Sequence, residues 1–95
     1  MLEKVKKALR ISNTAYDDEI TDLIAAARDD LMIAGVLVEA TTEVNPDPLI
    51  TRAIVTYCKA NFGYDNQEAD RFHDAYVMLK QHLALSAEYR SPEVI

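Results

Sequence analysis

Chemistry needs reactive groups that converge, so the search begins with the residues able to supply them. Asp70, His73 and Asp74 fall at i, i+3 and i+4 of one helical stretch, a spacing that could approximate a metal site. Two carboxylates and an imidazole at that spacing also describe an ordinary solvated helix face. His82 lies nine positions after His73, about half a turn away in phase, and cannot join them. It falls near the apolar stripe, where a partly buried imidazole is expected. Cys58 is the single cysteine, with no histidine or basic cluster beside it to lower its pKa. It reads as a buried structural thiol. Asp17/Asp18 and Asp29/Asp30 are adjacent pairs, and adjacent residues on a helix diverge by about 100°. They do not make the facing carboxylates of acid–base catalysis. Gly63-Tyr64-Asp65-Asn66 lacks the alternating ligands of a calcium loop, and there is no phosphate-cradling glycine loop and no CxxC pair. The residues therefore point away from an enzyme, and no metal or cofactor is expected.

The elements that would hold such residues are helical. Asp47-Pro48 opens a helix with an N-cap and a proline at the first helical position, where a missing N–H costs nothing. Leu49/Ile50, Ala53/Ile54, Tyr57 and Ala60/Asn61 recur at helical spacing until Gly63 ends the run. Asp65 or Asn66 can cap the next helix, which carries Phe72, Ala75/Tyr76, Leu79 and His82/Leu83. The short connection predicts an antiparallel αα-hairpin. Upstream, Leu2, Val5 and Leu9 give a short amphipathic helix. Thr14 with Asp17 forms a capping box, and Ile20, Leu23/Ile24, Ala27, Leu31 and Ala34 continue for about five turns to Gly35. The expected architecture is all-α, one domain over 1–95, with four helices near 1–10, 15–34, 48–62 and 66–85.

Two stretches escape the pattern. Residues 36–46 are rich in β-branched side chains and form a long link for so small a bundle. Residues 86–95 hold Tyr89, Val94 and Ile95 among polar residues and read as a flexible tail. Segments of this kind can order on binding, so Val36, Leu37, Val38, Thr41, Val44, Tyr89, Val94 and Ile95 are the expected partner contacts. Tyr57, Phe62, Tyr64, Phe72 and Tyr76 cluster around the helix break and are expected to form the aromatic centre of the core.

The balance of charge narrows the partners. With 16 acidic and 10 basic residues the net charge is −6, unlike a protein that neutralises a DNA duplex. Lys4, Lys6, Lys7 and Arg10 form a local basic cluster, which reads as a solvated helix face. One cysteine allows no internal disulfide, and no signal peptide or membrane-length apolar run is apparent. A soluble protein made in the cytoplasm is expected.

In order and spacing, these motifs resemble the small head–tail connector, head-completion or adaptor proteins of tailed bacteriophages. The likeness rests on the basic first helix followed by Tyr16-Asp17-Asp18-Glu19-Ile20 and Leu23-Ile24-Ala25-Ala26-Ala27. It continues through Asp47-Pro48-Leu49, Ala53-Ile54-Val55-Thr56-Tyr57 and Lys59-Ala60-Asn61-Phe62-Gly63, then Asp65-Asn66, Phe72, Tyr76, Leu79-Lys80 and Leu83. The resemblance implies a non-catalytic virion protein that forms a ring on the portal vertex. The ring would extend the DNA channel without sequence-specific binding and join it to a stopper or tail-completion protein. No family binding residue transfers to a numbered position. Two other roles fit the residues alone: a small helical regulator of one protein partner, and a weak DNA binder using the basic first helix.

Overall fold

The computed structural model describes residues 1–37, 41, 46–63 and 66–90. Four helices account for most of them: α1 (Leu2–Leu9), α2 (Asp17–Ile33), α3 (Pro48–Asn61) and α4 (Ala69–Leu85). The all-α expectation holds, and the described residues contain no strand. One isolated antiparallel bridge joins Val36 to Arg90.

α3 occupies the middle. It packs against α1, α2 and α4, and its Ile50, Ala53, Ile54 and Cys58 are all fully buried. The predicted cap is present, with the Asp47 carboxylate accepting from the Ile50 N–H at 3.1 Å and Pro48 leading the first turn. α2 contributes Ile20, Ile24, Ala27 and Leu31 to the core, one residue per turn of one face. α4 contributes only Tyr76 and Leu83 as buried side chains, with Leu79 packed beside them. Gly35 and Gly63 take positive φ (105° and 85°) after α2 and α3, where a side chain would be strained.

Three local expectations change. Thr14 does not cap α2: Tyr16 is the N-cap residue, no side chain caps the helix, and Asn13 instead accepts from the Ala15 N–H. Asn66 caps no helix terminus directly. Its Oδ1 accepts from the Glu68 N–H at 3.1 Å, while its Nδ2 donates to the Lys59 carbonyl at 2.6 Å, tying the turn to the end of α3. Asp65 lies outside the described residues. The aromatic centre is not one cluster. Tyr76 is buried against Tyr57, ring edge to face at 5.1 Å, while Phe62 meets the half-exposed Tyr16 at 5.5 Å. Phe72 faces outward between Lys59 and Arg71, whose cations lie 5.3 and 5.1 Å from its ring. Tyr64 lies outside the described residues.

The first helix is held by a charge. Lys6 is 6% exposed, and its ammonium lies 2.8 Å from the Asp17 carboxylate in the first turn of α2. Eight residues are too few for a stable isolated helix, so docking of Val5 and this ion pair hold α1 in place. α1 then stops at Arg10, a non-glycine residue in the left-handed region (φ 61°). There the Ile11 N–H returns to the Lys6 carbonyl at 2.9 Å.

A buried charge that loses its partner costs more than the pair was worth. Asp17→Ala is therefore expected to lower stability by about 2 kcal/mol, whereas Lys6→Met, which removes the charge and keeps the stem, should cost under about 1 kcal/mol. Urea unfolding of the two variants checks the asymmetry.

Candidate partner-binding surfaces

The sequence-derived contact residues divide into three groups. Val36 and Thr41 are buried (1% and 0% exposed), so they serve the core of this chain and not its outer surface. The β-branched composition that marked Val36 as part of a binding segment equally suits a buried core residue. Leu37 and Tyr89 are engaged with each other: the Leu37 N–H donates to the Tyr89 carbonyl at 2.7 Å, beside the Val36–Arg90 bridge. Val38, Val44, Val94 and Ile95 lie outside the described residues.

Residues 86–90 thus depart from the flexible tail expected there. The chain turns at Ser86, with the Tyr89 and Arg90 N–H groups both donating to its carbonyl, and Tyr89 packs half-buried on the core. A hydrogen bond to the Asp47 carboxylate, with some burial, pushes the Tyr89 hydroxyl up to about 12. The geometry that ties this segment to the body is the Leu37–Tyr89 backbone bond and the packing of the Tyr89 ring on the core. Sequence reasoning missed this because a lone tyrosine after a run of helix looks like fraying.

One polar node links α2 to α4. The Tyr76 hydroxyl donates to Asp30 at 2.5 Å, and the Lys80 ammonium lies 3.1 Å from the same oxygen. Burial alone would raise the Asp30 carboxyl, but the Tyr76 and Lys80 hydrogen bonds and the Lys80 charge outweigh it and hold it below the ordinary value of 3.8. Burial and that carboxylate push Tyr76 up strongly, and Tyr57 more mildly. Tyrosines held neutral in this way donate protons to hydrogen bonds and do not ionise, so the node is structural.

No reactive constellation emerges elsewhere. Cys58 is buried and its thiol is pushed up to about 12 by desolvation, the opposite of a nucleophile. Asp70, His73 and Asp74 are exposed along α4, and among the described residues no group of three or more His, Cys, Asp or Glu could hold a metal ion. His82 is exposed, contrary to the partly buried imidazole expected, because α4 buries a narrower face than its sequence stripe suggests. The basic cluster on α1 loses Lys6 to Asp17, leaving Lys4, Lys7 and Arg10 exposed.

What the surface does offer is an open groove of about 710 Å³ between α3 and α4. Val55, Phe72, Ala75, Met78 and Leu79 give it an apolar floor, and Arg52, Lys59, Arg71 and His82 stand around it. Met78 is 71% exposed, and Leu85 at the end of the same helix is 79% exposed. Phe72, Ala75 and Leu79 read in the sequence as part of the apolar stripe of the hairpin. They lie open because α4 meets α3 along one flank only, and no described element covers the other.

The family model described as phage connector protein matches residues 1–90. The chain belongs to that family. No curated protein and no solved structure matches it. In this phage connector family member no described helix is long and apolar enough to cross a membrane.

Two measurements test the anchoring contacts. The stability that Asp30 contributes is present above the ordinary carboxylate value and lost as pH falls through its lowered folded value. Asp30→Asn should therefore flatten stability against pH below about pH 4 in denaturant titrations, relative to the parent. Tyr89→Ala removes the ring that packs on the core and should lower the melting temperature measurably by circular dichroism.

Proposed function

We propose that this chain is a non-enzymatic head–tail connector. It assembles as a ring on the portal vertex of a phage head, lengthens the DNA channel and presents a surface to a stopper or tail-completion protein. The observation that carries this reading is the connector-family match across residues 1–90. Two features agree with it. Among the described residues no three His, Cys, Asp or Glu side chains gather to hold a metal ion. Of the described large hydrophobic residues exposed on the surface, Ile33, Met78 and Leu85 are the most exposed, and side chains of this kind are what subunit contacts cover.

The charge suits passage of DNA. A chain of net charge −6 repels phosphates on average, so a channel built from many copies would not hold the duplex by counterion release. The basic first helix is a poor duplex reader, since Lys6 is bound internally to Asp17.

Purified protein mixed with purified portal, viewed by electron microscopy, is expected to show an added ring of density on one end of the portal. Portal particles that stay bare across a range of salt concentrations, together with a stable complex with some other single protein, would replace the connector role with the regulatory one.

A further inference from the structure

We infer that the α3/α4 groove is the docking site for the outer face of α2 from a second copy of this chain, which makes the contact between copies head-to-tail. The inference rests on the ring reading only for the idea that copies meet; the choice of surfaces comes from this structure.

The groove is cationic on an acidic protein. Among the described residues no carboxylate lies within ion-pair distance of Arg52 or Lys59, and Arg71 pairs only with the exposed Glu68. The opposite pattern stands on α2. Asp18, Asp22, Ala25 and Asp29 are exposed and follow at i, i+4, i+7 and i+11, one continuous face turned away from the core residues Ile20, Ile24, Ala27 and Leu31. Four residues on is Ile33, 85% exposed, the most exposed of the large hydrophobic side chains. Three carboxylates ending in one bare isoleucine is a poor solvent face and a good match for cations ending in bare methionine and leucine.

Spacing fixes the register. Asp22 and Asp29 are seven residues apart on α2, about 10.5 Å along the axis, and so are Arg52 and Lys59 on α3. Laying α2 antiparallel to α3 sets Asp29 at Arg52 and Asp22 at Lys59. Asp18 then falls about 6 Å beyond Lys59, toward Arg71 at the start of α4. Ile33 falls about 6 Å beyond Arg52, toward the end of α4, where Leu85 is exposed. α4 runs against α3, as the Lys59–Phe72 and Tyr57–Tyr76 contacts require, so both ends match at once. The reverse orientation would put Ile33 beside Arg71 and leave Leu85 against a carboxylate. Ala25 sits midway, where a small side chain lets the helix settle over Phe72, Ala75 and Met78. Groove and stripe lie on different helices, so one copy can use both, which is the condition for a ring when the rotation closes.

Three variants test this by sedimentation velocity. Arg52→Glu with Lys59→Glu reverses the groove; Asp22→Lys with Asp29→Lys reverses the stripe; the third chain carries all four changes. The parent is expected to self-associate at concentrations up to about 1 mM, more weakly as salt rises. Each two-residue reversal should weaken that at least ~100-fold, because like charges then face each other. The four-change chain should recover it, as should an equimolar mixture of the two reversed chains. Melting curves near the parent's would confirm that all three fold. Oligomers that persist in both reversed chains would overturn this docking and leave the ring reading standing, with copies meeting elsewhere. A parent that is monomeric up to about 1 mM would also overturn it, and if portal particles stay bare as well the ring reading falls with it.

Discussion

Every helix in this protein is placed by the apolar face of α3. Ile50, Ala53, Ile54 and Cys58 are fully buried, and α1, α2 and α4 each contribute side chains against them. A chain of 95 residues has little apolar surface to spare, and concentrating it around one helix is an economical way to close a core. The arrangement has a geometric consequence. Helices grouped about a central one need not cover each other, and their far sides stay open. The α3/α4 groove and the acidic face of α2 are two such sides.

Polar contacts then fix what burial leaves undetermined. Hydrophobic contact is non-directional, so a helix can rotate or slide on an apolar neighbour at modest cost. Lys6–Asp17 pins the start of α2 to α1, and Asp30 with Tyr76 and Lys80 pins its other end to α4. Asp47 caps α3 by accepting from the Ile50 N–H. The first two of these carboxylates set the relative placement of the elements, while those of the α2 face are left outside. The excess of acidic residues therefore has two separate uses in one fold.

The helices were legible because their periodicity, caps and breaks agree. Asp47-Pro48 and the two glycines mark boundaries that the structure reproduces, and the α2 stripe of Ile20, Ile24, Ala27 and Leu31 is buried as its spacing predicts. What stayed hidden depends on neighbours distant in sequence. Nothing local marks Lys6 as buried, since its partner lies in the next helix. Val36 looks like loop composition until Arg90 is brought beside it. Phe72 and Met78 match a core pattern, yet α4 rotates to bury Tyr76 and Leu83 and turns them outward. Amphipathic spacing identifies a face able to be buried without saying whether this chain or a partner buries it. That ambiguity falls on the residues that line the α3/α4 groove.

The Val36–Arg90 bridge brings two distant points of the chain together. Leu37 and Tyr89 are joined backbone to backbone, so the segment that follows α2 and the segment that follows α4 share one corner of the helical body. A displacement of either segment is felt by the other through the backbone bond from the Leu37 N–H to the Tyr89 carbonyl.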